Sequence, residues 1–215
     1  MNKSNYFIEC ILKKLTISIS LLLILFFVLD LQEALAKSTI SGQVSVQGKK
    51  NLSKIILYLE SKTGDYYKPP FSHKIEQRRL RFLPNLKIIT KGDTVNFLNL
   101  EKRQIDHNVY SLSGISTFDL GLGEKGTTLK KVFDQPGVLN FYCSVHKRME
   151  GRLVILPTHY YVVISKPGAF QIKDVPPGEW TLKAVLFHRR YKAVPIEIKL
   201  DEKDVKDLKL SIIRK

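Results

Sequence analysis

The chain has 215 residues, with 35 Lys and Arg against 20 Asp and Glu, and a formal net charge of +15. This charge favours acidic partner surfaces or anionic lipid headgroups. We do not expect nucleic acid as a partner, because the basic residues are spread along predicted strands and turns and no RNA-binding or helix-turn-helix signature is present.

Residues 1–36 have the pattern of a secretory signal peptide. Three lysines precede an apolar run over residues 15–29, and Ala34-Leu35-Ala36 is an A-x-A cleavage site. The run is shorter than the roughly 20 residues that span a bilayer, which favours cleavage. We therefore predict an exported, periplasmic protein. Two acidic residues, Asp30 and Glu33, precede the cleavage site, and an uncleaved anchor on the outer face of the cytoplasmic membrane is the alternative.

Almost every segment after the signal has strand character. Short runs rich in Val, Ile, Leu, Phe and Tyr are separated by turns such as Lys91-Gly92-Asp93, and no window has a sustained helical period. The runs lie at about 39–46, 54–61, 86–90, 94–99, 128–134, 137–143, 151–156, 159–165, 169–173, 178–187, 193–199 and 205–213. We therefore predict an all-β protein.

The C-terminal residues form a second β unit. Gly168-Ala169-Phe170-Gln171-Ile172 and the following Val175-Pro176-Pro177-Gly178 resemble strands of the carboxypeptidase regulatory-like β-sandwich. In that family an opening pair of strands comes first, and here the matching segments lie far upstream, within residues 38–62. The resemblance implies a discontinuous domain of 38–62 plus 157–215, interrupted by a second domain over 72–156. Alternatively, the two early strands belong to the inserted domain's own sandwich.

The segment from Cys143 to Met149 reads Cys-Ser-Val-His-Lys-Arg-Met. A thiolate, an imidazole and a thioether are ligands that copper takes. Cleavage of the signal would remove Cys10 and leave Cys143 unpaired in an oxidising compartment, where a lone cysteine needs a reason to stay reduced. A blue-copper site needs a second imidazole, and His107, which follows the predicted strand 94–99, is the candidate.

Several motifs over residues 72–156 resemble the cupredoxin family, which includes plastocyanin, amicyanin and azurin. The matching motifs are Phe82-Leu83-Pro84, Gly92-Asp93-Thr94-Val95-Asn96-Phe97, His107-Asn108-Val109, the Phe118-Asp119-Leu120-Gly121 turn, Phe133, Pro136-Gly137 and the C-x-x-H-x-x-M loop. The resemblance implies a Greek-key β-sandwich, combined with a second, smaller Ig-like or regulatory-like β-sandwich. It also implies one copper ion that alternates between Cu(I) and Cu(II).

The resemblance assigns ligand roles to four residues. His107, Cys143 and His146 would be the strong copper ligands, and Met149 would be the axial ligand. Asn108 would tie the His107 loop to the backbone near Ser144 and keep the ligand geometry stiff.

Two features of the loop depart from the family. Val145 stands where proline is common, and Lys147 and Arg148 follow the ligand His146, whose far edge passes the electron in the family. The predicted exit surface is therefore cationic instead of apolar, and a redox partner that docks there would be acidic.

The sequence lacks the residues that other copper, haem or zinc sites would need. A dinuclear copper centre needs a second cysteine in the loop, a multicopper oxidase needs a His-Cys-His tripeptide, and covalent haem attachment needs C-x-x-C-H; the sequence contains none of these. The other three histidines, His73, His159 and His188, are not paired at the spacing of zinc ligands. We interpret them as solvated or packing residues.

The sequence therefore predicts a one-electron carrier and not an enzyme. Its partners would be redox proteins, such as a cytochrome or an oxidoreductase, and it would meet a membrane only through an uncleaved anchor or an anionic lipid surface. The appended sandwich favours a second hypothesis, a copper carrier or delivery protein or a surface binding module. A third is a β scaffold that holds no metal, since the fold alone does not fix the function.

Overall fold

A computed structural model of the protein describes residues 37–48, 52–64, 66 and 68–215. The predicted signal over residues 1–36, with Cys10, lies outside the described residues. The described chain is built from 17 β-strands, which confirms the predicted all-β class. No helix in this part of the chain has the length and apolarity needed to cross a membrane.

The strands fall into three groups along the chain. The first two are β1 (Ser38–Val46) and β2 (Ile55–Ser61). The middle nine are β3 (Ser72–Gln77), β4 (Phe82–Leu83), β5 (Leu86–Thr90), β6 (Thr94–Asn99), β7 (His107–Ser113), β8 (Ser116–Gly123), β9 (Thr128–Val132), β10 (Gly137–Tyr142) and β11 (Glu150–Leu156). The last six are β12 (Tyr161–Ile164), β13 (Ala169–Val175), β14 (Gly178–Val185), β15 (Tyr191–Ala193), β16 (Ile196–Leu200) and β17 (Val205–Arg214).

The sheets join the first group of strands to the last. One sheet has the order β13-β1-β17-β15 and another β12-β2-β14-β16, and we call these two sheets the outer sandwich. The middle strands form sheets of order β4-β3-β6-β9 and β5-β11-β10-β7-β8, which we call the inserted sandwich. The described part of the chain therefore starts with two strands of the outer sandwich, leaves it for residues 72–156, and returns to complete it.

Strands β2 and β11 are buried on both faces because they lie where the two sandwiches meet. In β11, Leu153 and Ile155 belong to the core of the inserted sandwich, whereas Val154 and Leu156 pack against Ile56 of β2. Alternate residues of a strand point to opposite faces, so a strand with two buried faces needs an unbroken apolar run. The segment Leu153–Leu156 has one.

Each sandwich has its own aromatic centre. In the outer sandwich, the fully buried Trp180 stacks on Tyr66 with ring centroids 4.5 Å apart. In the inserted sandwich, Phe82, Phe97 and Phe141 meet edge to face with centroids 4.7 to 6.3 Å apart. These three rings lie in the same core cluster as Cys143 and Met149.

Four strands, β3, β4, β7 and β8, lie outside the predicted runs, and one predicted turn is wrong. β3 reads Ser-His-Lys-Ile-Glu-Gln and contains one apolar residue, so the periodicity is too weak to predict it. The segment Phe118–Gly121 lies inside β8 and is not a turn. Gly121 has a φ of +74° in this strand, a conformation that glycine adopts at little cost.

Candidate metal centre

Three potential metal ligands meet at one end of the inserted sandwich. His107, Cys143 and His146 each present one donor atom, and these atoms lie within 4.8 Å of one another. The Cys143 Sγ atom is 3.7 Å from Nδ1 of His107 and 3.7 Å from Nδ1 of His146. His107 and Cys143 are buried, whereas His146 is half-buried.

Regular backbone structure positions the three donors. His107 is the first residue of β7, and Cys143 immediately follows β10, two strands that pair in the same sheet. The Cys143 N–H donates to the Met149 carbonyl at 3.1 Å, and the Met149 N–H donates to the His146 carbonyl at 2.9 Å. The loop is thus closed on itself by two backbone hydrogen bonds, which hold His146 over the sulfur.

The donor set fits copper. Bonds of about 2.0 Å to nitrogen and about 2.3 Å to sulfur, about 120° apart, separate the two donor atoms by about 3.7 Å. Both Nδ1 to Sγ distances have this value. A thiolate with two imidazoles in a trigonal arrangement is the set found in blue-copper sites. Each histidine is therefore spaced to share a metal ion with Cys143.

Glu101 fixes the orientation of the His107 ring. One of its carboxylate oxygens lies 3.2 Å from Nε2 of His107 and accepts the backbone N–H of Leu80 at 2.8 Å. An ionised carboxylate only accepts hydrogen bonds, so Nε2 carries the proton and Nδ1 presents its lone pair to the metal position. Glu101 therefore selects the tautomer that can bind a metal.

Burial and hydrogen bonding set the charges of this pair. Burial disfavours ionisation of Glu101, but the N–H of Leu80 and the His107 ring outweigh it and hold the pKa of the carboxyl below its ordinary value. Burial lowers the pKa of His107, and the hydrogen bond to Glu101 opposes this only in part. At neutral pH the imidazole is therefore neutral, the form that binds metals.

Asn108 connects the two ligand-bearing segments. Its side-chain oxygen accepts the Ser144 N–H at 2.7 Å and the Ser144 hydroxyl at 3.0 Å. Its amide group donates to Asp119 of β8 at 3.1 Å. Asn108 is buried, so these hydrogen bonds are protected from water. They tie the start of β7 to the residue after Cys143.

The structure distributes the remaining predicted site residues between core and surface. Met149 is 1% exposed and packs in the same cluster as Cys143. Lys147 and Arg148 are exposed, and so is Val145. The loop therefore has a buried thioether on its inner side and cationic and apolar side chains on its outer side.

The other three histidines lie outside the donor group. His73 contacts Asp93 through Nε2 at 2.8 Å. His188 accepts the Arg190 N–H at 3.3 Å within a turn, and burial and the charges of Lys68 and Lys37 lower the pKa of His159.

Glu101 is the site residue that sequence reasoning missed. It follows β6 in a cation-rich segment, where a glutamate is typical of a solvated surface. No local sequence pattern marks it as buried. In the structure, the Asn99 amide group donates to the carbonyls of Ile105 and Gly123 at 2.8 and 3.0 Å and so holds the loop that contains Glu101.

No protein-family model matches the chain, and no curated protein matches it. Solved structures of cupredoxins match part of it. A purple cupredoxin from Nitrosopumilus maritimus is 23% identical, with 39% of this chain and 98% of that chain covered and a TM-score of 0.35. A methionine variant of amicyanin with Cu(I) is 17% identical, with coverages of 39% and 81% and a TM-score of 0.36. A tryptophan variant of reduced amicyanin is 16% identical, with coverages of 46% and 97% and a TM-score of 0.36.

Proposed function

We propose that the protein binds one copper ion through His107, Cys143 and His146 and carries single electrons. The observation that supports this most strongly is the sulfur of Cys143 facing two imidazole Nδ1 atoms at 3.7 Å each. When bound, copper supplies the Cu(I)/Cu(II) couple. Among the described residues Cys143 is the only free cysteine, and it is buried, which protects the thiolate from other oxidation chemistry.

Met149 completes the proposed ligand set as a weak axial ligand. Its side chain is buried in the cluster that contains Cys143, and its backbone is hydrogen-bonded to Cys143 and His146. A thioether is a soft donor that suits both oxidation states of copper, whereas zinc favours a fourth nitrogen, oxygen or thiolate donor. Glu101 is not part of the proposed ligand set, because its carboxylate contacts Nε2 of His107, on the far side of the ring from the donor atom Nδ1.

A rigid ligand frame supports electron transfer over other uses of copper. The loop is closed by the backbone hydrogen bonds of Met149, and Asn108 joins it to β7 through Ser144. Side chains that are held before the metal changes its charge need little rearrangement when it does. The half-buried ring of His146 lies closest to the surface among the three donors and is the proposed exit for the electron.

The proposal places the protein outside the cytoplasm. Residues 1–36 have the sequence pattern of an export signal, and a periplasmic location with a cleaved or anchoring signal follows from it. The partner would be a redox protein, such as a cytochrome or an oxidoreductase, that meets the exposed Lys147 and Arg148 with acidic side chains. Nucleic acid has no place in this function, and no enzymatic step is proposed.

The outer sandwich supports a second candidate, a copper delivery protein or surface binding module. This sandwich carries the segments that resemble the regulatory-like domain, and it packs on the inserted sandwich through Ile56, Val154 and Leu156. A buried interface of this kind suits a fixed spacer or docking platform. Rapid loss of Cu(I) to a chelator without reversible redox cycling would favour delivery over electron transfer.

The visible spectrum of the purified protein after addition of one equivalent of Cu(II) tests the proposal. We expect an intense thiolate-to-copper charge-transfer band that is lost in Cys143→Ser and in His107→Ala and shifted in Met149→Leu. His188→Ala, which changes a histidine outside the donor group, is the control and should leave the band unchanged. A colourless, weakly bound metal would contradict the proposal.

A further inference from the structure

The turn between β3 and β4 combines arginine side chains with an unusual backbone. Residues Arg78 to Arg81 read Arg-Arg-Leu-Arg, and the Arg78 N–H donates to the Arg81 carbonyl at 3.0 Å. Arg79 and Leu80 both have a φ of 57°, a left-handed conformation that costs a non-glycine residue roughly 1 kcal/mol or more. Such a turn persists only where its surroundings hold it in place.

The buried carboxylate of Glu101 holds this turn. It accepts the Leu80 N–H at 2.8 Å, and the same oxygen lies 3.2 Å from Nε2 of His107. One acidic group therefore fixes both a metal ligand and the arginine turn, so the arginines are held at the metal end of the inserted sandwich.

Three further segments surround the same end. The Leu100 N–H donates to the Gln77 carbonyl at 2.9 Å, which brings residues 100–106 next to the turn, and the Lys125 ammonium donates to the Lys102 carbonyl at 3.1 Å. We call residues 78–81, 100–106, 123–126 and 144–149 the basic collar. Its cationic residues are Arg78, Arg79, Arg81, Lys102, Arg103, Lys125, Lys147 and Arg148.

Most of the collar's charge is unneutralised. Its exposed acidic residues are Asp106 and Glu124. Arg78 pairs with Glu76 at 3.3 Å, whereas Arg79 and Arg81 form no ion pair with any residue that the structure describes. Both side chains are exposed, so their charge is available to a partner.

The collar also exposes apolar side chains. Leu80, Leu100 and Val145 are 43%, 41% and 51% exposed, and each comes from a different segment of the collar. Apolar groups within a polar and charged rim are the anatomy of a protein–protein interface. This combination favours a protein partner over a lipid surface, which the cations alone would also attract.

We propose that the basic collar docks an acidic redox protein and that Arg79 and Arg81 are its principal cationic contacts. The nature of this partner rests on the proposed electron-carrier function. The proposed docking surface thus extends from Lys147 and Arg148 to the turn that Glu101 holds. The strained turn presents two arginines without ion-pair partners among the described residues, and Glu101 joins this turn to the metal ligand His107.

Binding to a c-type cytochrome of net negative charge, with carboxylates around its haem edge, tests this proposal. Association would be measured by stopped flow at low and high ionic strength, with a basic c-type cytochrome as comparison. The test variant is Arg79→Gln/Arg81→Gln, and Arg189→Gln/Arg190→Gln, in an exposed turn of the outer sandwich, is the matched control. We expect association of the test variant with the acidic cytochrome to be about tenfold slower at low ionic strength, with the control unchanged.

Two readouts separate this proposal from the copper proposal. Binding is also measured with metal-free protein by surface plasmon resonance, and the charge-transfer band is recorded for each variant. If Arg79→Gln/Arg81→Gln weakens binding to the acidic cytochrome, the docking surface is supported even where the charge-transfer band is absent. Equal rates for the test and control variants would overturn it. Binding to phosphatidylglycerol vesicles is measured with the same variants. If the loss of the two arginines weakens vesicle binding more than cytochrome binding, the collar is a lipid-binding surface and the proposal is overturned.

Discussion

Buried polar clusters lie near both ends of β6, and they differ in whether every polar group has a hydrogen-bond partner in the protein. At the start of β6, the Asp93 carboxylate accepts the N–H groups of Phe71 and Thr90 and the Nε2–H of His73, each at 2.8 Å. Beyond its end lies the donor group of Cys143 and two histidines, in which three donor atoms face one another. A thiol can donate to only one of two facing nitrogens.

This difference separates a structural cluster from a functional one. Burying a polar group costs about 1–3 kcal/mol unless it is hydrogen-bonded, and the Asp93 cluster avoids this cost with protein groups alone. In the proposed function, a copper ion bound by both imidazoles and the sulfur satisfies the cluster around Cys143. Changes to the Asp93 cluster should therefore alter stability and spare copper binding, whereas changes near Cys143 should alter copper binding whatever they cost in stability.

The largest expected effect on stability is at the closed end. Asp93→Ala would leave two backbone N–H groups and the His73 ring without their partner, so we expect a loss of about 3–5 kcal/mol in the free energy of unfolding. The charge-transfer band should persist while the protein is folded. Urea denaturation measures the loss, and Asp134→Ala at an exposed position is the control. Loss of the band in the folded variant would contradict the separation of the two ends.

A glycine beneath the metal end is expected to be nearly as sensitive. A Cβ atom on Gly151 would overlap the ring of Phe141, two residues before Cys143. We expect Gly151→Ala to cost about 2–3 kcal/mol through overpacking and to shift the charge-transfer band, since the ring supports the strand that ends at the sulfur. Gly114→Ala, with open space around the new methyl group, should have little effect. Thermal unfolding followed by the visible spectrum measures both.

Asn108 lies at the open end, and its removal should act mainly on copper. Asn108→Ala would leave the Ser144 N–H without its acceptor, which costs about 2 kcal/mol. More importantly, the loop would no longer be tied to β7, so we expect faster loss of copper to a chelator and a broader charge-transfer band. Asn140→Ala, in β10 away from the donor atoms, is the comparison. Unchanged copper release would show that Asn108 has no part in holding the ligands.

Glu101→Gln should change the metal with only a small cost in stability, about 1 kcal/mol. The amide oxygen can still accept from His107 and Leu80, but the negative charge beside the ligand is lost. That charge stabilises Cu(II) more than Cu(I), so we expect a higher midpoint potential. Protein-film voltammetry measures the shift, with Glu124→Gln as the exposed control. Equal shifts in both variants would rule out a specific role for Glu101.

The smallest expected effect is a loss of folding stability at acidic pH, which does not extend to neutral pH. Burial opposes ionisation of Asp93, but hydrogen bonds from Phe71, Thr90 and His73 hold its pKa below the ordinary value. Its contribution is therefore fully present above the unfolded pKa of about 3.9 and is lost as the pH falls through the folded value. Urea midpoints measured down through this range should fall for the wild type and fall less for Asp93→Asn. Equal slopes would contradict the assignment.

Residue type made the candidate metal group of His107, Cys143 and His146 predictable, and strand periodicity made much of the fold predictable. A lone cysteine with histidine and methionine in one loop is a set of soft and borderline donors that suits copper, and the need for a second imidazole pointed to His107 after the predicted strand 94–99. That His107 begins a strand of its own was not predicted. The apolar run of Leu153–Leu156 predicted a strand, but its burial on two faces depends on β2, which is distant in sequence.

The rest depends on contacts that leave no local pattern. Glu101 has the composition of a surface residue, and only its hydrogen bonds to Leu80 and His107 reveal a buried role. The positive φ values of Arg79 and Leu80 oppose the ordinary preferences of those residues. His73 gives no signal until Asp93 is placed beside it by the parallel pairing of β3 with β6. Tertiary contacts therefore determine which polar residues are buried.

X-ray absorption at the copper edge, recorded on the same sample before and after reduction, tests the central claim most directly. The proposed site predicts one short sulfur scatterer and two imidazole nitrogens in both oxidation states, with little change between them because the backbone hydrogen bonds of the loop and Asn108 hold the donors in place. Loss of the sulfur scatterer, or a change in the number of nitrogen ligands on reduction, would contradict a rigid electron-transfer site built from His107, Cys143 and His146.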